Sequence, residues 1–150
     1  MRRVIAIDSA AAMEALGGAL ARGGRRGQCI LLHGSLAAGK TTLARGYLRA
    51  LGHAGAVKSP TFTLVESYVL DTAAVHHFDL YRLADADELE FIGIEEYLDG
   101  RADVLIEWAE RGRGVLPEAT LDVTIGIVDG GREVCIEAHD AVGRELISRI

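Results

Sequence analysis

The chain has 150 residues, of which 49% are hydrophobic and 25% are charged, and its formal net charge at pH 7 is −6. This length and mixture favour one globular domain, residues 1–150, and argue against a disordered chain. No apolar run approaches the roughly 18 residues needed to cross a bilayer, and the first residues lack the apolar stretch of a secretory signal. We therefore expect a cytoplasmic protein that does not contact membranes.

The charge pattern argues against a protein that binds nucleic acid by itself. Such binding needs a concentrated basic face, because neutralised phosphates supply most of the affinity. Here the arginines are scattered, with small groups at 22–26 and 111–113. Only two of the 16 basic residues are lysines, Lys40 and Lys58.

In the first two thirds of the chain, predicted helices and strands alternate. Short continuous apolar runs are typical of buried strands, and apolar residues three or four apart are typical of helices. Gly17 and Gly18 weaken the first predicted helix, since glycine disfavours helix interiors. In chain order the predicted elements are a helix over 10–22, a strand over 28–33, a helix over 40–51, strands over 61–70 and 75–79, a helical stretch within 85–98, and a strand over 103–108.

The last third of the chain has a different pattern. Residues 120–128 and 133–138 alternate between polar and apolar side chains and flank Asp129-Gly130-Gly131, which predicts a hairpin. Residues 141–150 predict a final helix. Early alternation of helices and strands followed by a hairpin favours an α/β sandwich with a mixed sheet.

A glycine-containing segment joins the strand over 28–33 to the helix over 40–51. It reads Gly34-Ser35-Leu36-Ala37-Ala38-Gly39-Lys40-Thr41 and matches Gly-x-x-x-x-Gly-Lys-Thr, the phosphate-binding loop or P-loop. Its glycines let amide N–H groups turn toward phosphates, and the helix N-terminus adds partial positive charge. Lys40 is expected to reach the β- and γ-phosphates, and the Thr41 hydroxyl to bind Mg²⁺. We therefore predict a three-layer P-loop NTPase fold with a mixed, mainly parallel central sheet and a late antiparallel hairpin.

Magnesium bound to two phosphates and a hydroxyl needs an acidic neighbour. Asp79 and Glu107 stand at the ends of apolar strands, and in a parallel sheet such ends open on the same edge as the phosphate loop. Either acid could hold the metal or orient the attacking water. Thr61, in Ser59-Pro60-Thr61, is a candidate for completing the magnesium shell and sensing the γ-phosphate, although Ser-Pro-Thr is also an ordinary turn into a strand.

Two further patterns concern the nucleotide base and a possible second metal. Guanine-selective switches carry an Asn-Lys-x-Asp segment late in the domain, and no lysine follows Lys58, so adenine is favoured. His76 and His77 are adjacent on a predicted strand, where neighbouring side chains point to opposite faces. We therefore expect structural roles for both histidines rather than a shared transition metal.

Several further segments follow the phosphate loop in order along the chain. They are Arg45-Gly46, Leu51-Gly52, Ser59-Pro60-Thr61-Phe62-Thr63-Leu64, His77-Phe78-Asp79-Leu80-Tyr81-Arg82-Leu83, Gly93 and Glu107-Trp108. With these segments the chain resembles the TsaE (YjeE) ATPase family over roughly residues 5–140. The Ser-Pro-Thr-Phe-Thr, Asp-Leu-Tyr-Arg-Leu and Glu-Trp segments are far more specific than the loop alone.

The resemblance implies a Mg²⁺-dependent ATPase of bacterial tRNA modification. In that pathway a separate enzyme makes threonylcarbamoyl-adenylate, and TsaD transfers the threonylcarbamoyl group to adenosine 37 of tRNAs that read ANN codons. The TsaE-like protein hydrolyses ATP, weakly when alone, and so resets the TsaD–TsaB complex between turnovers. The implied partner is therefore the TsaD–TsaB heterodimer, and tRNA is contacted only through it.

The resemblance also implies roles for individual residues. Lys40, Asp79 and Glu107 are the expected catalytic residues. Thr41 and Glu107 are the expected magnesium ligands. Arg132, in the late hairpin, is expected to border the adenine. The full set of predicted nucleotide-binding residues is Leu36, Ala37, Ala38, Gly39, Lys40, Thr41, Thr42, Thr61, Trp108 and Arg132.

The phosphate loop departs from the family pattern at two positions. The family carries an acid where this chain has Ser35 and a glycine where it has Ala37. Because alanine at positive φ costs on the order of 1 kcal/mol, we expect the φ of Ala37 to be negative. We expect nucleotide binding to survive both changes and hydrolysis to be weaker than in relatives.

Two other functions fit the same loop. A small-molecule P-loop kinase needs a substrate pocket and a lid with arginines, for which Arg111 and Arg113 are the only nearby pair. A nucleotide-gated binding module with negligible turnover would fit the unusual residues Ser35 and Ala37. A kinase consumes ATP only with its small substrate, whereas an ATPase of this family responds to protein partners.

Overall fold

The computed structural model describes residues 1–150. The strands are β1 (Arg2–Ile7), β2 (Cys29–His33), β3 (Val65–Val69), β4 (Ala74–Asp79), β5 (Asp103–Glu107), β6 (Leu121–Val128) and β7 (Gly131–Ala138). The α-helices are α1 (Ala10–Gly23), α2 (Lys40–Ala50), α3 (Asp87–Phe91), α4 (Ile94–Tyr97) and α5 (Ala141–Ser148), and a 3₁₀ helix covers Ala109–Gly112. None of the helices has the length and apolar character that a membrane span requires.

All seven strands form one sheet in the order β1-β7-β6-β2-β5-β4-β3. The four central strands β6, β2, β5 and β4 run parallel to one another, whereas β3, β7 and β1 are antiparallel to their neighbours. Strands β6 and β7 form the predicted hairpin, with Val128 opposite Gly131. The sheet is therefore mixed, with a parallel centre, as predicted.

Helices cover the two faces of the sheet unequally. Helices α1, α2 and α5 pack on one face, where 21 buried residues form a core cluster that includes Leu32 and Leu43. Helices α3 and α4 and the 3₁₀ helix pack on the other face against β4 and β5, with eight buried residues that include Phe78 and Ile106. The sheet is thus the middle of three layers, and the third layer is the smallest.

Helices α1 and α2 approach each other so closely at two positions that a side chain larger than that of glycine does not fit there. A Cβ atom at Gly17 would lie 2.0 Å from the carbonyl oxygen of Leu43. A Cβ atom at Gly46 would lie 1.9 Å from the carbonyl oxygen of Glu14. The packing therefore explains why Gly17 occurs inside a helix, where glycine is otherwise unfavourable. The contact also holds α2, which begins at the end of the phosphate loop, against α1.

A buried polar network ties α2 to the edge of the sheet opposite the phosphate loop. The Tyr47 hydroxyl donates to the Asp103 carboxylate over 2.7 Å and accepts from Gln28 over 2.5 Å. The same carboxylate accepts from the backbone N–H of Gly27 over 2.7 Å and forms an ion pair with Arg26 at 2.8 Å. Burial, reinforced by the Asp103 charge, raises the pKa of Tyr47 well above its usual range, so the hydroxyl stays protonated as a donor.

Ala37 adopts the backbone conformation that the sequence was expected to avoid. Its φ is +63°, in the left-handed region, so the predicted negative φ is wrong. An alanine in this region costs on the order of 1 kcal/mol. Arg132 of β7 contacts the strained loop, since its Nε donates to the carbonyl oxygen of Ala38 over 2.8 Å and its Nη2 to that of Ala37 over 3.5 Å. The late hairpin therefore stabilises the phosphate loop through the hydrogen bonds of Arg132.

Three other elements differ from the prediction. Strand β1 has no strong signal in the sequence because most of its residues are exposed, and it is held by antiparallel pairing with β7. The predicted strand over 61–70 is shorter, since residues 61–64 form a turn in which Leu64 has a φ of +70°. The predicted helical stretch within 85–98 is divided into α3 and α4 at Gly93, whose φ is +74°.

Replacing Gly46 by alanine is expected to lower the free energy of unfolding by about 3 kcal/mol, because the added methyl group would overlap the α1 backbone. Denaturant unfolding followed by circular dichroism measures this change. The matched control is Gly126→Ala, since a Cβ atom there meets only the Glu133 carbonyl oxygen at 3.6 Å and should alter stability by less than about 1 kcal/mol. Unchanged stability of Gly46→Ala would contradict the close helix contact.

Replacing Ala37 by glycine is expected to raise the free energy of unfolding by about 0.5 kcal/mol. Glycine removes the left-handed strain but also adds entropy to the unfolded chain, so the gain is smaller than the strain itself. The control is Ala38→Gly, which removes a buried methyl group at a residue without positive φ and should destabilise by about 1 kcal/mol. Equal losses of stability in the two variants would show that position 37 is not strained.

Candidate nucleotide-binding site

Three parallel strands end side by side at the edge of the sheet where the phosphate loop begins. Asp79, the last residue of β4, lies opposite Glu107, the last residue of β5. Glu107 in turn lies opposite Leu32 of β2, which continues into the loop over 34–39. Both carboxylates therefore stand beside the loop, as their positions at the ends of apolar strands predicted. Asp79 and Glu107 are each only 3% exposed.

The phosphate loop presents free backbone donors at the start of α2. Gly34 and Gly39 have φ values of +151° and +126°, which favour glycine. A Cβ atom at Gly34 would also lie 2.8 Å from the carbonyl oxygen of Ile125. No side chain caps the first turn of α2, so its N–H groups are available to phosphate oxygens.

Lys40 lies beneath the loop, with only 5% of its surface exposed. Its Nζ donates to the carbonyl oxygen of Gly34 over 2.5 Å and lies 3.8 Å from the centre of the Trp108 ring. Burial lowers the pKa of Lys40, and the charges of Glu107 and Asp79 act in the opposite direction. The two carboxylates thus favour the ammonium form, which is the form that binds phosphate.

Trp108 leaves β5 through a left-handed turn. Its φ is +58°, which ends the strand at Glu107. The predicted strand over 103–108 is therefore one residue too long. The indole lies against the Lys40 ammonium, and its centroid is 4.9 Å from that of the Tyr81 ring. A bulky residue in this region is strained, and such strain is concentrated at functional sites. The Trp108 side chain therefore packs against Lys40 at a fixed position beside the phosphate loop.

The two predicted magnesium ligands are adjacent. Oγ1 of Thr41 donates to Oε2 of Glu107 over 3.3 Å. The same oxygen of Glu107 lies 2.6 Å from Nε2 of His77. A hydroxyl and a carboxylate are both oxygen donors of the kind that Mg²⁺ prefers. Thr41 and Glu107 therefore offer one small oxygen-lined position at the start of α2.

Asp79 holds the Ser-Pro-Thr segment against the site. Its Oδ2 accepts a hydrogen bond from Oγ1 of Thr61 over 2.8 Å, and its Oδ1 accepts from the backbone N–H of Tyr81 over 2.9 Å. The hydroxyl of Ser59 lies 2.7 Å from that of Thr61. The segment is a turn, but its threonine also reaches the site.

The two adjacent histidines have different surroundings. They point to opposite faces of β4, as predicted. His76 forms a hydrogen bond with Ser67 near the surface, whereas His77 is buried and forms a hydrogen bond with Glu107. His77 thus belongs to the site, a role that the sequence did not predict. The signal was present, because residues two apart on a strand share a face and His77 precedes Asp79 by two. No group of three or more His, Cys, Asp or Glu side chains is arranged to hold a metal ion.

Two cavities flank the phosphate loop. The larger, of about 390 Å³, contains both carboxylates and is lined by Leu36, Ala37, Gly39, Lys40, Thr41, Thr42, Ser59, Thr61, Asp79, Glu107 and Trp108. The smaller, of about 240 Å³, lies between the loop, the start of α1 and the late hairpin and is lined by Ile7, Asp8, Ser9, Ala10, Met13, Ala37, Ala38, Gly39, Thr42, Gly131 and Arg132. Every predicted nucleotide-binding residue lines one of the two cavities. Residues from Ile7 to Met13 were not predicted, because no motif marks them.

Known proteins match the chain in sequence and in structure. A family model described as threonylcarbamoyl adenosine biosynthesis protein TsaE matches residues 7–134. The tRNA threonylcarbamoyladenosine biosynthesis protein TsaE of Haemophilus influenzae is 50% identical over 119 residues, which are 79% of this chain and 75% of that protein. The protein of the same name from Bacillus subtilis is 37% identical over 113 residues, 75% of this chain and 70% of that protein. The crystal structure of YdiB from Bacillus subtilis superposes with a TM-score of 0.85 at 26% identity, covering 99% of this chain and 93% of that one.

The matches and the geometry of the site agree. The matched residues 7–134 contain the phosphate loop, both carboxylates and Arg132. The likeness to the solved structure confirms the predicted α/β P-loop fold. The chain therefore belongs to the TsaE family of tRNA threonylcarbamoyladenosine biosynthesis proteins.

Proposed function

We propose that this chain is a Mg²⁺-dependent ATPase that works with the TsaD–TsaB complex in forming the threonylcarbamoyl group on adenosine 37 of tRNAs that read ANN codons. Hydrolysis of ATP resets the complex between turnovers. The supporting observation is that Glu107 and Asp79 end adjacent strands in the same cavity as the phosphate loop. The names of the Haemophilus influenzae and Bacillus subtilis relatives support the pathway.

In this proposal the two cavities receive different parts of ATP. The larger cavity takes the β- and γ-phosphates, which the N–H groups of the loop and the Lys40 ammonium bind. To reach them, Nζ of Lys40 exchanges its hydrogen bond to the Gly34 carbonyl for one to a phosphate oxygen. The smaller cavity, with Asp8 and Arg132 on its walls, takes the adenosine.

The residues present fit a magnesium ion that binds together with the nucleotide. The hydroxyl of Thr41 and the carboxylate of Glu107 lie 3.3 Å apart, and both supply oxygen. Two side chains cannot complete an octahedral shell, so phosphate oxygens and water would supply the other ligands. When bound, Mg²⁺ neutralises charge on the β- and γ-phosphates.

Asp79 is proposed to orient the attacking water. Its two oxygens are held by the N–H of Tyr81 and the hydroxyl of Thr61, so the carboxylate keeps one direction. A water that donates a hydrogen bond to this carboxylate can be aimed at the γ-phosphorus. Its attack forms the new P–O bond while the bond to the β-phosphate oxygen breaks, which releases ADP and phosphate. Thr61, which lines the same cavity and donates to Asp79, is proposed to sense whether the γ-phosphate is present.

The proposal extends to location and partners. We expect the 150 residues to act as a single ATPase domain in the cytoplasm, without membrane contact. With a net charge of −6 and scattered arginines, the chain is suited to a protein partner that holds the tRNA.

ATP turnover is the direct test of this function. The isolated chain should hydrolyse ATP slowly, and a purified TsaD–TsaB complex should raise the rate by about tenfold or more, since the partner would order catalytic groups. Phosphate release measures both rates. Lys40→Ala should abolish turnover in each case, because it removes the ammonium that neutralises the γ-phosphate. A rate that responds to a small-molecule acceptor and not to the protein complex would show a kinase instead.

Glu107→Ala separates hydrolysis from nucleotide-gated binding. The variant should lose the partner-stimulated turnover together with tRNA modification in a reconstituted reaction, because it lacks the acidic metal ligand. Binding to TsaD–TsaB and modification are measured side by side. Nucleotide-dependent binding with full modification in Glu107→Ala would establish a binding module that needs no turnover.

A further inference from the structure

Glu107 is held by a neighbour that the proposed mechanism does not use. His77 is completely buried, and its Nε2 lies 2.6 Å from Oε2 of Glu107. The two side chains are 0% and 4% exposed, so water does not compete for the contact. We propose that His77 is a positioning residue, which sets the direction of the Glu107 carboxylate for the metal bound with the nucleotide. This proposal rests on the proposed function.

The hydrogen bond defines which nitrogen of the His77 ring carries a proton. A carboxylate can only accept, so Nε2 of His77 is the donor. The other ring nitrogen, Nδ1, is buried and has no hydrogen-bond partner. A buried polar atom without a partner destabilises the folded state. An apolar side chain would pack at this position without that cost, so the Nε2 donor is the property that distinguishes histidine here.

The donor also determines which oxygen of Glu107 is available. Oε2 receives hydrogen bonds from both His77 and Thr41, which leaves Oε1 free in the cavity beside the phosphate loop. Thr41 is itself a proposed metal ligand, so its contact with Glu107 changes when the nucleotide binds. His77 is not a ligand, and its hydrogen bond holds the carboxylate before and after binding. The role is that of an outer-shell partner, which orients a ligand and tunes its affinity.

The test is the Mg²⁺ dependence of nucleotide binding by the full chain, measured with a fluorescent methylanthraniloyl derivative of ADP. In EDTA, His77→Leu should bind this probe as the parent chain does, because the loop and Lys40 are unchanged. Mg²⁺ is expected to increase the affinity for the probe. In His77→Leu, half of this increase should require about tenfold more Mg²⁺ than in the parent chain, which is the usual effect of removing an outer-shell partner. His77→Gln carries an amide nitrogen near the place of Nε2 and should restore most of the response. His77→Asn is too short to reach Glu107 and should not.

The matched control is His76→Gln on the opposite face of β4, where His76 contacts Ser67 and no site residue. It should show the parental Mg²⁺ requirement. Thermal unfolding of every variant identifies changes caused by loss of the fold, and if His77→Leu does not fold, the comparison of His77→Gln with His77→Asn decides. A parental Mg²⁺ requirement in His77→Leu, or equal losses in the Gln and Asn variants, overturns the role of His77 alone. A parent chain whose nucleotide binding ignores Mg²⁺ overturns the proposed metal site and this inference together.

Discussion

Parallel pairing of β2, β5 and β4 is the constraint on which the site depends. Backbone hydrogen bonds set the register, so that Asp79 lies opposite Glu107 and Glu107 lies opposite Leu32. A shift of one residue in β4 or β5 would turn the carboxylate of that strand to the other face of the sheet. The same register brings the phosphate loop, which follows β2, to the edge where both carboxylates end. The position of the acids is therefore determined by the sheet and not by a flexible loop.

The loops on this rigid edge contain strain that other contacts offset. Ala37 and Trp108 have φ values of +63° and +58°, each at a cost of about 1–3 kcal/mol. The guanidinium of Arg132 binds the carbonyl oxygens of the phosphate loop, and the indole of Trp108 packs against Lys40. Both strained residues line the larger cavity. The late hairpin and the close packing of α1 on α2 thus stabilise a loop that its own sequence disfavours.

The chemistry of the site was predictable where it depends on short spacing along the chain. Lys40 and Thr41 belong to one motif, and Asp79 and Glu107 each follow an apolar strand. His77 was expected to be structural because its neighbour His76 points to the opposite face of the strand. Its place in the site was not predicted, since its partner Glu107 is 30 residues away and the hydrogen bond exists only when β4 pairs with β5.

Local patterns were sufficient for the phosphate loop, the late hairpin and the alternation of helices and strands, because each depends on residues that are neighbours in the chain. The positive φ of Ala37 could not be predicted from local sequence, because contacts from Arg132, 95 positions later in the chain, help to maintain it. Strand β1 likewise exists through its pairing with β7, which carries Asp8 to the cavity that Arg132 also lines. These features required the folded sheet, because strand register and helix packing join residues that are far apart in the chain.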